Sequence, residues 1–488
     1  MANFDLTNLA VKMICPNNVV KTDDTDLPSV LVYIPKFKNS DVLTGGNDST
    51  HPAFIVNGVE IPGFYYGKYQ AKVYNSVAYS LPGEDPTASI NFDTARARCE
   101  AKGAGWHLST NAEWAAIALW CKKNGFLPYG NNNYGKDSRE SNYKAVPSYY
   151  ESNKIARVAT GTGPISWSHD KTMAGIWDLN GNVWEWQGGI RLVWGELQIL
   201  ANNDAADPDN PQNTTSTCWK AINAADGALV DPESKTTDSS AHVSGKTVKL
   251  DYVNNKWTYS TSITNAKDES RGCAFYQVAA DSSIGDAAKV MLRALALLPD
   301  SDVTTDVYEG DYMWWNNGVA ERCVFRGGHW NDGANAGVFY LNGNNSRSNV
   351  NTNIGFRAAL ALFVYFLRAK AQQKHQGKRD AFPGRQGQRY TLVLLCRWRP
   401  PGTPSKPRRL AVVCYAGRRG IRILRRGDRR GKISPRNVTT RAIIMTTQGG
   451  TRTWIQETSP PFWREYTRGR IFWTHTTRQQ ARSGTATT

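Results

Sequence analysis

Apolar positions in this chain come in short runs separated by glycine, proline and asparagine, a spacing that predicts many short strands and a few helices. Residues 29–37 (SVLVYIPKF) are apolar and β-branched, and residues 53–66 (AFIVNGVEIPGFYY) alternate with Gly and Pro punctuation. Both read as strands, the second with a tight hairpin. Two helices follow. One runs over about 92–102 behind Asn91 as its cap. The other begins at Thr110, where Thr110 and Glu113 have the spacing of a capping box ahead of Trp114, Ile117, Ala118 and Trp120. Apolar residues three and four apart bury one face, so both are expected as surface helices packed on a sheet.

Residues 127–137 form a Gly/Asn loop, and the polar stretch to about 164 is expected to be irregular. In residues 175–186 (GIWDLNGNVWEW), Asn180-Gly181 signals a tight turn between two Trp-bearing segments. Trp177, Trp184 and Trp186 carry the apolar area of a core. Residues 202–264 are rich in Asp, Asn, Ser and Thr and read as a long insertion with short strands such as 248–253; a helix over about 286–298 is stopped by Pro299.

One polar stretch does not read as a linker. Residues 325–360 run FRGGHWNDGANAGVFYLNGNNSRSNVNTNIGFRAAL, and eight of the 23 residues from 331 to 353 are Asn. They are interleaved with glycines and with Val338, Phe339, Leu341, Ile354 and Phe356, the spaced apolar positions of a folded element. Asn competes with the backbone for hydrogen bonds, so such a run predicts turns and caps.

Charge divides the chain in two. The formal net charge of +17 averages 31 Lys+Arg against 38 Asp+Glu in residues 1–360, a net of −7, with 28 against 4 in residues 361–488, a net of +24. The eight cysteines (Cys15, Cys99, Cys121, Cys218, Cys273, Cys323, Cys396, Cys414) contain no CxxC pair and look like neither a zinc site nor a disulfide framework, so a reducing compartment is the default. No secretory signal is expected, because no basic segment precedes a long apolar run at the start. The longest apolar run, residues 358–367, is about half the roughly 20 residues a membrane span needs. The chain therefore reads as soluble, with no membrane insertion.

From Arg368 onward Arg, Gly, Pro, Thr and Gln dominate, and the apolar islands 391–396 and 410–415 are isolated. Such a segment has little apolar area to offset its ordering entropy, so a poorly ordered tail is expected. Arg422, Arg425, Arg426, Arg429 and Arg430, with Trp398, Trp454, Phe462, Trp463 and Trp473, are residue types that bind nucleic acid without sequence preference. No folded nucleic-acid module is identified, and a frame-shifted or extended tail is the reading taken.

The motifs GIWDLNGNVWEW (175–186), FRGGHW (325–330) and GFRAA (355–359), preceded by VYIPKF (32–37) and HLSTNAEWAAIA (107–118), occur in an order that resembles the formylglycine-generating, or sulfatase-modifying factor, branch of the C-type lectin fold. The resemblance spans roughly residues 29–366. It implies an α+β fold with a lead segment at 1–28, an insertion over about 187–310, a variable region over about 325–360 and the basic tail from 367.

The Asn-rich segment is similar, more particularly, to the variable region of proteins diversified by retroelements, in which adenine-specific mutagenesis rewrites AAY codons. A single adenine replacement in an Asn codon yields His, Asp, Tyr or Ser, the residues at His329, Asp332, Tyr340 and Ser346; Gly343 and Val350 need both adenines replaced. On this resemblance the variable ligand-binding positions are His329, Asn331, Asp332, Asn335, Tyr340, Asn342, Gly343, Asn344, Asn345, Ser346, Asn349, Val350 and Asn351. They are expected on a solvent-facing patch, where a changed side chain alters binding at little cost in stability.

The enzymes of the resembled family use a cysteine pair, the first member a few residues after the RGG motif. Here His329, Trp330, Asn331, Asp332 and Gly333 follow Gly327-Gly328, and no cysteine lies between Cys323 and Cys396. Thiolate redox chemistry and copper ligation therefore lack an agent. His329 and Asp332 are candidates for an acid/base pair, but both are positions expected to vary. In the resembled enzymes the segment matching Asp178, Gly181, Val183 and Glu185 binds calcium through oxygen ligands. For this chain two readings stay open: a structural calcium ion, or carboxylates bonded to turn amides.

The expectation is a non-enzymatic binding protein whose diversified face contacts a macromolecule, a cell-surface receptor above all. It would be carried among virion tail proteins as a phage receptor-binding protein or otherwise displayed at a cell surface. A sulfatase-modifying-type enzyme with altered chemistry is the alternative.

Overall fold

In the computed structural model the described residues are 11–13, 15–361 and seven strand segments between 390 and 471. The chain divides into two units, Met1–Ala369 and Lys370–Thr488. Mixed helix and sheet, mostly β, make up the first.

Its first sheet has five strands. β1 (Asn18–Thr22) and β2 (Pro28–Pro35) are antiparallel neighbours, β3 (Gly63–Gly67) pairs with β2, and further along the chain come α1 (Phe92–Glu100), β4 (Trp106–Leu108) and α2 (Asn111–Lys123). The predicted caps are present. Asn91 accepts the Thr94 N–H at 2.8 Å, and Thr110 and Glu113 form the reciprocal capping box.

Helix α2 departs from the one-faced expectation: residues 111–119 and Cys121 are all buried. Its second side is covered from residues 286–298, where α3 (Asp286–Ala294) is followed by a turn whose Leu295 carbonyl accepts from Asn111 Nδ2 at 3.1 Å. A helix apolar all round is a core element.

The polar stretch read as irregular contains a hairpin, β5 (Pro147–Glu151) with β6 (Lys154–Val158). The predicted turn at Asn180-Gly181 exists, but it joins no paired strands. Asp178, Gly181 and Asn182 adopt positive φ (61°, 77° and 65°), and a Cβ at Gly181 would stand 2.2 Å from the Asn131 carbonyl oxygen.

The second sheet has twelve strands. Its principal members are β7 (Trp184–Val193), β8 (Glu196–Ile199), β9 (Ser244–Val253), β10 (Lys256–Ser262), β11 (Arg271–Ala274), β12 (Tyr312–Trp315), β13 (Arg322–Arg326) and β14 (Leu341–Asn345), in the order β11-β12-β14-β13-β7-β8-β9-β10. The stretch read as an insertion thus supplies strands to the same sheet as the variable region. Two short strands end that region. β15 (Ile354–Phe356) runs parallel to β7, and β16 (Ala358–Leu360) lies between β3 and β4 of the first sheet.

In the second unit the two apolar islands lie in antiparallel strands, Tyr390–Trp398 with Arg408–Gly417, and Gly420–Arg425 pairs with the latter. The rest of residues 367–488, and with it the expected disorder and the Arg and Trp side chains of the tail, lies outside the described residues. Among the described residues no helix is long and apolar enough to cross a membrane.

Candidate binding face

The arginines of the FRGG and GFRAA motifs are internal members of the fold. Between β15 and β16, Arg357 donates Nε to Glu185 Oε2 at 2.8 Å and Nη2 to Oε1 at 2.6 Å, and it also reaches the carbonyls of Gly67 and Trp177 at 3.0 and 2.9 Å. Both side chains of the pair are sealed from solvent. Arg326 instead bonds the Asn111 Oδ1 at 3.0 and 2.8 Å and the carbonyls of Leu295 and Ala296 at 3.2 and 3.0 Å. Burial pushes its pKa down to about 9.

These anchors fix the two ends of the Asn-rich segment, and its middle is held by main chain. Phe92 N–H donates to the Arg347 carbonyl at 3.1 Å, Ser89 N–H to that of Asn351 at 2.9 Å and Trp184 N–H to that of Asn353 at 2.9 Å. Arg157 Nη1 reaches the Thr352 carbonyl at 2.9 Å. Arg347 adds a side-chain clamp, with Nε to Glu321 Oε2 at 2.7 Å, Nη1 to Asp93 Oδ1 at 2.8 Å and Nη2 to the Gln212 carbonyl at 3.0 Å. It is the only charged residue between Asp332 and Arg357, and that isolation was the sequence signal that could have marked it.

The asparagine side chains mostly bond to each other. Asn349 Nδ2 reaches Asn345 Oδ1 at 2.6 Å, Asn345 Nδ2 contacts Asn344 Oδ1 and, at 3.4 Å, Asn342 Oδ1, and Asn344 Nδ2 reaches Ser270 Oγ at 3.0 Å. Asn331, Val350 and Asn351 are exposed, while Asn335, Asn342, Asn344, Asn345, Ser346 and Asn349 are half-buried at the surface.

Two expected positions are not on the open surface. Tyr340 is 2 % exposed and its ring packs on Trp184 with 4.6 Å between centroids. Gly343 pairs with Trp315 across the sheet, and a Cβ there would stand 2.0 Å from a carbon of the Trp315 indole. Strand β14 is interior to the sheet, so alternate residues of the Asn-rich run point inward.

His329 and Asp332 sit half-buried at the edge of the face. Asp332 Oδ2 accepts the His329 N–H at 2.7 Å, and Oδ1 lies 3.4 Å from His329 Nε2. Burial lowers the His329 pKa to about 4; it raises that of Asp332 to about 7, against the pull of the His329 N–H bond. An imidazole held near 4 is a weak proton acceptor.

Of the predicted calcium ligands, the Asp178 carboxylate turns away, while other oxygens of the segment lie close together. The carbonyls of Asp178, Gly181 and Val183 and the Oε1 of Glu185 surround one point, and Nε2 of Gln70 is at that point, 3.1, 3.4, 3.0 and 3.1 Å from them. Asn182 Nδ2 donates to Gln70 Oε1 at 2.8 Å, which sets the amide's orientation. Asp178 turns its carboxylate to the Gly161 N–H at 2.8 Å, and burial raises its pKa to about 6. Glu185 is already matched by Arg357. As they stand these residues do not fit a calcium ion, which takes six to eight oxygens at about 2.3–2.6 Å: an amide nitrogen fills the place and a guanidinium neutralises the carboxylate. Gln70 carried no sequence signal, lying in an ordinary strand-like run.

Among the described residues four cysteine thiols are buried, Cys99, Cys121, Cys273 and Cys323. Cys323 is buried within β13, and burial pushes its thiol and those of Cys99 and Cys121 well above the ordinary value, with that of Cys273 at about 11.

No family model matches the chain, and no curated protein matches it. Among solved structures the chain is similar to "Major Tropism Determinant U1 Variant", at 11 % identity with a TM-score of 0.23, over 68 % of this chain and 62 % of that one. The chain thus spans less than two thirds of that structure's length.

Proposed function

We propose that this protein is a non-enzymatic receptor-binding protein whose binding face is formed by Asn331, Asn335, Asn342, Asn344, Asn345, Ser346, Asn349, Val350 and Asn351, with His329 and Asp332 at its edge. One observation carries the reading: the loop after β14 is pinned by main-chain bonds from Phe92, Ser89 and Trp184 and by Arg347, while the amide side chains serve mainly one another. A backbone held by main-chain bonds from outside the segment lets exposed side chains change without loss of fold. Such a face pairs adaptable hydrogen bonding with fixed geometry, as paratopes do.

The coding pattern supplies the source of variation: adenine-specific retroelement mutagenesis acting on Asn codons. We place the protein in a phage tail, where the virion presents the face to a cell-surface receptor. The raised thiols and the lowered His329 support a binder over a sulfatase-modifying-type enzyme. We read the Asp178–Glu185 turn as metal-free, stitched by Gln70 and Arg357.

Sequencing of sibling copies tests this. Substitutions confined to AAY-derived codons from 329 to 351, concentrated at the open positions, are expected. An invariant segment would overturn the reading.

A further inference from the structure

The β5–β6 hairpin and the loop before it enclose an open hollow of about 430 Å³, within the range of small-ligand sites, about 300–1,000 Å³. Tyr134, Tyr143 and Tyr150 line it together with Lys136, Lys154 and Ile155. Tyr143 and Tyr150 are 67 % and 59 % exposed, and the Lys154 ammonium lies 4.5 Å from the centroid of the Tyr134 ring. Two asparagines complete the lining, which includes no carboxylate.

The hollow borders the variable segment without belonging to it, through its lining residue Tyr134 at one end and, at the other, through Glu151, the neighbour of its lining residue Tyr150. Tyr134 N–H donates to the Trp330 carbonyl at 2.8 Å, and Thr352 Oγ1 donates to Glu151 Oε1 at 2.9 Å. Its lining residues all lie outside 325–360, so diversification leaves them unchanged.

We propose that this hollow is a constant subsite for an acidic saccharide. Exposed tyrosine rings offer flat apolar faces to the C–H side of a pyranose, and the ring edge of a sugar bearing carboxylates meets two ammonium groups in charge-assisted bonds. The amides serve hydroxyls as donor and acceptor. A peptide adding as a strand fits less well. The hairpin ladder is broken by register shifts between Ile155 and Arg157 and again before Val158, and such bulges blunt strand addition. The subsite borders the variable segment but shares no residue with it, and it does not need that face to vary.

The test is calorimetric titration of the full chain with tetragalacturonate, beside neutral maltotetraose and a tetraglutamate peptide. Tetragalacturonate is expected to bind in preference to both and more weakly at raised salt. Tyr150→Ala and Lys154→Ala are each expected to weaken it by about ten-fold, while Asn349→Ala on the variable face changes it by less than about two-fold. Circular dichroism establishes that each variant is folded. No binding at millimolar tetragalacturonate, equal binding of tetraglutamate, or indifference to Tyr150→Ala and Lys154→Ala would overturn the subsite. Any of those results leaves the sibling-sequence test of the variable face untouched.

Discussion

A methyl group at position 343 would stand 2.0 Å from a ring carbon of Trp315, whereas the side chain of Asn349 meets that of Asn345 at the surface. Gly343→Ala is therefore expected to cost about 1–3 kcal/mol by overpacking, and Asn349→Ala to stay within about 0.5 kcal/mol, both read from urea denaturation. Equal effects would contradict the packing of β14. The edge pair gives a pH signature. In Asp332→Asn only His329 remains, with a folded pKa of about 4 against an ordinary 6.5; its contribution is present above pH 6.5 and lost as pH falls toward 4. In His329→Asn only Asp332 remains, with about 7 against 3.8; its contribution is full below pH 3.8 and lost as pH rises through 7. Thermal midpoints relative to the parent protein should thus slope in opposite directions between about pH 4 and 6.5. Parallel curves would show that the two groups are not buried in this way. The polar character of these positions was legible in the sequence. Which of them face inward was not, because an Asn-rich run gives no apolar alternation to set its register.

At the scale of elements, the capping signals at Asn91 and Thr110 were legible because a cap is a local bond between neighbours in sequence. What α2 packs against was not, since its second cover comes from residues 286–298, far away along the chain. The turn from Asp178 to Glu185 has the same character. Its oxygens could be read from sequence, but Gln70, more than 100 residues earlier, fills their centre. Gln70→Leu removes the amide donor from the buried carbonyls of Gly181 and Val183, while Asp178 and Glu185 keep Arg357, and is expected to cost about 1–3 kcal/mol. Added calcium or EDTA should leave the parent melting temperature unchanged; a calcium-dependent rise would show that the ion displaces the amide. Arg347→Met removes the clamp on Glu321 and Asp93. Faster amide exchange is expected over residues 346–353, with β7 and β13 still protected, and unchanged exchange would mean that the main-chain bonds alone hold the loop.

For the first unit as a whole, Arg357 matters most, because it lies between a strand of each sheet and neutralises Glu185 with both side chains buried. Glu185→Gln leaves the guanidinium uncompensated, an expected loss of about 3–5 kcal/mol in urea denaturation, and Arg357→Met in the same chain should recover part of it. Additive losses would rule out a paired role. Sequence alone determined the positions of caps, many strands, the charge divide and the asparagine-rich composition of residues 331–353, all properties of near neighbours or of composition. Only the tertiary structure decided that the long polar stretch joins the main sheet, that Tyr340 and Gly343 are interior, and that Gln70 and Arg357 meet the oxygens around Glu185. Burial, pairing and the filling of a polar centre depend on residues distant in the chain, and the periodicity of a single segment carries no record of which ones arrive.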